Sequence, residues 1–280
     1  MITHAPHLSR AARYPAMLAT TEMELSFAAY QERQLHEISA AGLTARAQKL
    51  SRAGQFRFHG GRWTPEPYVG HAVVTMVETA AENAPLVEPL RDLQRALLEG
   101  FPDDGVLYPL PAGSFHQTIA NTLSDEKHQR LVVDRGLSTG YPGIVTSTFG
   151  EFPSTFPGEP PTMRLVGVSL FRTAIGLLGI FNREEGFHRV LNFRDRFYNH
   201  PRVADLGIRR TRPFIGHITL AYVERELDVA ARARLVEVVT SINRTLALRD
   251  LHFHLPVAEL RAYDHLAEFK PLPGLPRYRL

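Results

Sequence analysis

Apolar residues recur along this chain at two spacings, and each spacing predicts one kind of element. Continuous or alternating apolar runs indicate strands, whereas apolar residues three and four positions apart indicate the buried stripe of a helix. The predicted strands are 68–77, 106–110, 115–122, 163–171, 174–181, 213–223 and 251–262. The predicted helices are 21–52, 85–99, 124–135, 184–199 and the segment that follows Asp228, a typical N-cap residue.

The order of these elements predicts an α+β fold. A strand–helix–strand unit occurs in each half of the chain beyond Tyr68, and the strands on either side of Arg172 are joined by a tight reversal. We therefore expect two duplicated β-α-β lobes with mostly antiparallel sheets around a central cleft. In this prediction, residues 68–280 form the bilobal domain. Residues 1–67 form an N-terminal helical extension that ends in a glycine- and proline-rich loop or linker at 57–67.

One long segment has no predicted element. Residues 136–161 are rich in glycine and proline, and no regular element fits them. A structureless stretch of this length within a compact domain is often a functional loop. Its aromatic residues Tyr141, Phe149 and Phe156 are therefore candidates for stacking on a substrate ring.

The composition excludes several classes of protein. The chain has no cysteine, which excludes disulfides, cysteine-ligated metals and thiol nucleophiles. Its net charge of +3 is too small to indicate a nucleic-acid coat. The N-terminal residues lack a signal-peptide pattern, and no apolar run approaches the roughly 18 residues of a membrane span. We therefore expect a cytoplasmic enzyme with no membrane association and no obligate protein partner.

Two short strings in the chain share one pattern. Residues 115–120 read FHQTIA and residues 216–221 read GHITLA, so both contain His-any-Thr-(Ile or Leu)-Ala within a predicted strand. A third string, His7-Leu8-Ser9, shows that a bare His-x-Ser/Thr arises by chance in a chain with 13 histidines. The shared apolar tail and the matching place in two similar halves distinguish the first two strings from such chance matches.

Each motif places a histidine and a threonine on one face of its strand, because side chains two positions apart point the same way. His116 therefore lies beside Thr118, and His217 lies beside Thr219. If the halves face each other, two imidazoles and two hydroxyls converge on one cleft. A neutral imidazole can take a proton from water or a ribose hydroxyl, while a protonated one donates to the departing oxygen. The hydroxyls can hydrogen-bond the phosphate oxygens, so this chemistry requires no metal or other cofactor.

With these motifs the sequence resembles the two-histidine phosphoesterase superfamily, whose members include RNA 2′,3′-cyclic phosphodiesterases and proteins labelled 2′-5′ RNA ligases. Residues 163–181 are similar to the hairpin that precedes the second motif in that family. Residues 212–223 are similar to the second motif itself, and residues 253–265 to the closing strand. The resemblance covers roughly residues 68–280.

The resemblance implies a role for each motif residue. It makes His116 and His217 the catalytic histidines, and it makes Thr118 and Thr219 their phosphate-binding partners. It also implies a phosphodiesterase whose leading substrate is a nucleotide or an RNA end with a 2′,3′-cyclic phosphate. A cyclic dinucleotide is the next substrate class.

Three features depart from the family pattern. Gln117 stands where the family usually has an apolar residue, and Gly216 stands where it commonly has a proline. The loop at 136–161 is longer than the family minimum. None of these departures falls on the four residues that carry the chemistry.

Other residues near the predicted cleft have a structural explanation beside a functional one. Arg172, Arg183 and Arg212 lie near strand ends on the cleft side, where an arginine can hold a phosphate or be a plain surface charge. Tyr222 has the same strand parity as Leu220 and is expected to pack under the sheet.

Two alternative functions stay open. His252 and His254 point to one side of a predicted strand and are a two-ligand start for a metal site, as in a metal hydrolase. The second alternative is a nucleotide-binding module without turnover. The presence of both His-x-Thr motifs favours the enzyme, because a binding module could lose either histidine without penalty.

Overall fold

Helices and strands are interspersed along the whole described chain. The computed structural model describes residues 24–102, 104–153 and 158–280. Its α-helices are α1 (Phe27–Ile38), α2 (Ala40–Ala47), α3 (Val87–Gly100), α4 (Asp125–His128), α5 (Tyr141–Ser147), α6 (Glu184–Asn199), α7 (Pro201–Asp205) and α8 (Val229–Leu246). Its strands are β1 (Phe56–His59), β2 (Arg62–Pro65), β3 (Gly70–Met76), β4 (Leu107–Pro109), β5 (His116–Ser124), β6 (Thr162–Leu170), β7 (Ala174–Phe181), β8 (His217–Val223), β9 (His252–His254), β10 (Val257–Tyr263), β11 (Lys270–Pro271) and β12 (Tyr278–Arg279).

Two five-stranded antiparallel sheets form the body of the protein. The strand order is β11-β10-β3-β5 in the first sheet, where β12 also pairs with β10, and β4-β8-β7-β6-β9 in the second. The predicted α+β class with antiparallel sheets around a cleft is thus confirmed. The strands that carry the two motifs, β5 and β8, lie next to each other where the sheets meet.

The predicted strand at 251–262 is divided between the two sheets. Its first part, β9, pairs with β6 in the second sheet, and its second part, β10, pairs with β3 in the first. Leu255 and Pro256 lie between them, and a proline has no N–H with which to continue a strand ladder. The prediction of one strand is therefore wrong. Because β4 also pairs with β8, each sheet contains strands from both halves of the chain.

The predicted helix at 21–52 is two helices, α1 and α2, over its described part. The backbone of Ser39 is extended, with φ −69° and ψ 158°, and its hydroxyl accepts a hydrogen bond from the N–H of Gly42. A side chain at Gly42 would collide with the backbone of α1, since its Cβ would lie 2.0 Å from the carbonyl oxygen of His36. Ser39 therefore ends one helix and caps the next.

The first helix belongs to the core of the second sheet. Tyr30 on α1 is fully buried, and its ring stacks on Phe187 of α6 at a centroid distance of 4.8 Å. Helix α6 begins and ends where the sequence predicts, with buried phenylalanines on its inner face. Burial of each such ring stabilises the fold by roughly 1.5–3 kcal/mol. The packing therefore fixes α1 against β6 and β7.

Two segments predicted to be irregular contain regular structure. Residues 57–67 form most of the β1–β2 hairpin, whose turn places Gly60 and Gly61 at φ 56° and 76°, as a type I′ turn requires. Residues 136–161 contain α5 and a following 3-10 helix, Thr148–Glu151. Tyr141, Val145, Phe149 and Phe152 are buried, and this tertiary packing outweighs the glycines and prolines. Both predictions of an irregular segment are wrong.

None of the helices in the described ranges is long and apolar enough to cross a membrane.

Candidate active site

The structure brings both motifs to one cavity. His116 and Thr118 from β5 and His217 and Thr219 from β8 all line a cleft of about 370 Å³. In each strand the intervening residue, Gln117 or Ile218, is buried on the opposite face. The four side chains predicted to converge are therefore in one place.

A β-bulge follows each motif at the same position. In β5 the successive paired residues Thr118 and Ala120 are two positions apart, and in β8 so are Thr219 and Ala221. In each partner strand the residues paired with them are adjacent. The extra residue reverses the strand parity. As a result Asn121 and Tyr222, which hold equivalent positions after their histidines, also line the cavity.

The prediction that Tyr222 packs under the sheet is consequently wrong. That prediction assumes uninterrupted alternation from Leu220, and the bulge breaks the alternation. The side chain is half-buried at the cavity wall, and burial raises the pKa of its hydroxyl. Tyr222 therefore meets a ligand as a neutral phenol.

The two imidazoles have the same hydrogen-bonding arrangement. The Nδ1 of His116 lies 2.7 Å from the carbonyl oxygen of Ser114, and the Nδ1 of His217 lies 3.1 Å from that of Ile215. A carbonyl oxygen can only accept, so Nδ1 carries the hydrogen in both rings. The neutral form of each histidine therefore has its lone pair on Nε2, which is the atom available to a substrate.

An aromatic ring lies beside each imidazole. Phe269 is 4.1 Å from the ring of His116 between centroids, and Phe171 is 4.9 Å from the ring of His217. These rings cover one side of each imidazole, and both histidines stay partly exposed at the cavity. Sequence reasoning missed both phenylalanines, because Phe269 lies outside every predicted element and Phe171 is only the end of a predicted strand.

Both histidines are neutral at pH 7 in the free protein. Burial lowers the pKa of His116 to about 4. Burial, together with the positive charge of Arg212, lowers the pKa of His217 to about 3. A proton donor therefore exists near neutrality only when a bound anion raises one of these pKa values.

Arg212 is the cationic side chain at the cavity wall, among the described residues that line it. One guanidinium nitrogen lies 3.5 Å from the Oδ1 of Asn121. The carbonyl oxygen of Arg212 accepts a 3.0 Å hydrogen bond from buried Arg194, which holds the backbone of Arg212 in place. Of Arg172, Arg183 and Arg212, only Arg212 lines the cavity.

The other two arginines lie elsewhere. Arg172 is exposed at the β6–β7 turn and is not part of the cavity wall, whereas its neighbours Phe171 and Thr173 are. Its carbonyl oxygen accepts a 2.8 Å hydrogen bond from the N–H of Ser51, which fixes the turn. Arg183 borders a different pocket.

The aromatic residues predicted from the 136–161 segment do not reach the cavity. Tyr141 and Phe149 are 0% and 3% exposed, so neither can stack on a base in this structure. They pack in the core because the segment folds into helices. Phe156 lies outside the described residues. Instead, Tyr68, Tyr222 and Tyr263 line the cavity.

His252 and His254 lie away from the cavity and bond to neighbours. The Nε2 of His252 is 2.8 Å from an oxygen of Asp250, and the Nδ1 of His254 is 3.0 Å from the hydroxyl of Thr162. Over residues 24–102, 104–153 and 158–280, no group of three or more metal-binding side chains is present.

No protein-family model matches this sequence, and no curated protein is similar to it at a significant level. Among similar solved structures, ATU0111, a conserved protein of unknown function from Agrobacterium tumefaciens, is 20% identical, with a TM-score of 0.54 over 86% of this chain and 97% of its own. The protein TT0787 of Thermus thermophilus is 13% identical, with a TM-score of 0.43 over 75% and 97%. The first likeness supports the fold alone, and the second is too distant to support an argument.

Proposed function

We propose that this protein is a phosphodiesterase of the two-histidine type, with His116 and His217 as its acid–base pair. The observation that carries the proposal is the matched geometry of the two rings. Each donates its Nδ1–H to a backbone carbonyl two residues before it, and each stands beside a threonine in one cavity. Incidental strand histidines have no reason to share all of these features.

In the proposed reaction, one neutral histidine accepts a proton through Nε2 from the attacking water. The other, protonated when the phosphate binds, donates a proton from Nε2 to the leaving oxygen. Thr118 and Thr219 donate hydrogen bonds to the non-bridging oxygens, and Arg212 offsets their charge. The two histidines exchange roles when the reaction runs in reverse.

A nucleotide or an RNA end with a 2′,3′-cyclic phosphate is the proposed substrate, and a cyclic dinucleotide is the alternative. Tyr68 and Tyr222, which are partly exposed at the cavity wall, support a substrate with an aromatic base, since stacking on a base contributes about 1–3 kcal/mol. The absence of cysteine agrees with a cytoplasmic enzyme, and that location stays a prediction.

The first test is a substrate screen with EDTA present. Purified protein should hydrolyse at least one compound among cyclic mononucleotides, cyclic dinucleotides and short RNAs with cyclic ends, because the proposed acid and base are both side chains. Product release is followed by chromatography. Binding without turnover would favour a nucleotide-binding module. Activity that EDTA abolishes would favour a metal hydrolase instead.

The pH dependence of kcat/KM and of kcat should differ. The pKa values of His116 and His217 are about 4 and about 3. In the free protein, one histidine is neutral while the other is protonated only at acidic pH. A bound phosphate raises the pKa of the donor. Because kcat/KM reports the free enzyme and kcat the complex, both profiles should be bell-shaped, with the kcat/KM optimum at lower pH. Initial rates over a pH series test this, and a kcat/KM optimum at the higher pH would contradict it.

A further inference from the structure

The backbone that leads into the second motif is held by two buried glutamines. Gln34 lies on α1, in the N-terminal extension, and Gln117 lies in the first motif, and each is 0% exposed. Both direct their side-chain amides at the backbone of residues 215–217. Gln117 is among the departures from the family pattern, and Gln34 lies outside the region of resemblance.

Gln117 connects the two motifs directly. Its Oε1 accepts a 2.6 Å hydrogen bond from the N–H of His217, and its Nε2 donates to the carbonyl oxygen of Ile215 at 3.0 Å. That same carbonyl oxygen is the one beside the Nδ1 of His217. Gln117 therefore holds both ends of the short segment that sets the tautomer and the orientation of the His217 ring.

Gln34 holds the same segment from the other side. Its Nε2 donates to the carbonyl oxygens of Gly216 at 2.8 Å and Gly179 at 2.9 Å. The approach of α1 requires glycine, since a Cβ at Gly216 would lie 2.5 Å from the hydroxyl of Tyr30. The departures at Gln117 and Gly216 thus have one explanation, which is the packing of this segment between α1 and the first motif.

We propose that Gln117 is a positioning residue for His217, and that Gln34 supports it from the N-terminal helix. Position 117 needs a hydrogen-bond acceptor and a donor on one planar group, and an apolar side chain there supplies neither. Misplacement of a reacting group by about 1 Å can cost on the order of a hundredfold in rate. The catalytic consequence rests on the proposed function, whereas the effect on the His217 ring does not.

Gln94 provides a matched control. Its Nε2 also donates to two backbone carbonyl oxygens, at 2.9 Å to Leu110 and at 2.7 Å to Leu220 on β8. It therefore secures the same strand through the same chemistry, but it bonds neither to His217 nor to residue 215. If Gln117 only satisfies buried backbone groups, Gln117→Met and Gln94→Met should have the same consequences.

The experiment compares Gln117→Met with Gln94→Met by kcat, KM, melting temperature and an NMR titration of the imidazoles. We expect both variants to have a lower melting temperature than the wild type. Gln117→Met alone should lower kcat about 10- to 100-fold, with KM changed by less than about threefold, because ring placement matters most in the transition state. It should also raise the pKa of His217 toward 6.5, since a loosened segment admits water to the ring. The His217 resonance is assigned by its absence in His217→Ala.

Gln117→Glu gives a second variant in case the methionine variant does not fold. A protonated glutamic acid keeps one acceptor and one donor, so its kcat should be closest to wild type at acidic pH. Wild-type kcat and an unchanged His217 titration in Gln117→Met, or equal kcat losses in Gln117→Met and Gln94→Met, would overturn the proposal. If the wild type hydrolyses no phosphodiester, the titration alone decides, and an unchanged His217 pKa overturns it.

Discussion

Alanine at His116 or at His217 is expected to lower kcat by at least about a hundredfold, the usual scale of general acid–base catalysis. Each replacement removes one of the two Nε2 atoms in the cavity and leaves a neighbouring threonine that cannot transfer protons at neutral pH. KM should change much less, because the proposed phosphate contacts of Thr118, Thr219 and Arg212 are kept. Steady-state kinetics on the best substrate of the screen measures both quantities.

His252→Ala is the matched control for this pair. His252 is also a strand histidine that is partly exposed, but it lies away from the cavity and bonds to Asp250. Its replacement should leave kcat within about twofold of wild type, as expected for a surface substitution away from the site. Near wild-type turnover in either His116→Ala or His217→Ala would refute the acid–base assignment.

Replacement of Arg194 by methionine is expected to lower the free energy of unfolding by about 3 kcal/mol. The guanidinium, whose side chain is 3% exposed, bonds to Glu24 at 2.6 Å and to the carbonyl oxygens of Ile119 and Arg212 at 2.6 and 3.0 Å. Methionine fills much of the space but leaves the carboxylate and both carbonyl oxygens with fewer partners. The value is at the lower end of the usual range because Arg210 stays 3.5 Å from Glu24. Urea unfolding of the two proteins measures the difference.

Arg91→Met serves as the comparison for Arg194→Met. Arg91 also pairs with a glutamate, Glu88, at 2.5 Å, but both side chains are at least half exposed. Exposed pairs of this kind contribute about 0–1 kcal/mol, so the unfolding midpoint should barely move. A similar small change in Arg194→Met would show that the buried network is not a stabilising link between the N-terminal segment and the two motifs.

Local sequence was sufficient for several of the central elements. The periodicity of 184–199 predicted α6 with its bounds, and the apolar runs before and after Arg172 predicted β6 and β7 to within one residue. The sequence predicts Asp228 as an N-cap residue, and its side chain accepts a 2.7 Å hydrogen bond from the N–H of Ala231. These predictions succeed because each depends on contacts between residues near in sequence.

Predictions failed where distant packing overrides the local pattern. The segment 136–161 was expected to be irregular, yet the burial of Tyr141 and Phe149 stabilises its helices. The strand at 251–262 was expected to be continuous, yet its two parts belong to different sheets. Neither outcome is readable from nearby residues, since the partners that decide it are far away in the chain.

The sequence by itself determined the α+β class and the two motifs, each with a histidine and a threonine two positions on, in strands of opposite halves. Alternation along a strand is a local rule, so it correctly placed His116 with Thr118 and His217 with Thr219 on one face each. Only the tertiary structure decided that these faces share one cavity and that bulges turn Asn121 and Tyr222 toward it. It also decided that Gln34 and Gln117 secure the backbone before His217. Such features depend on which strands pair and in which register, and residues far apart in the chain determine that together.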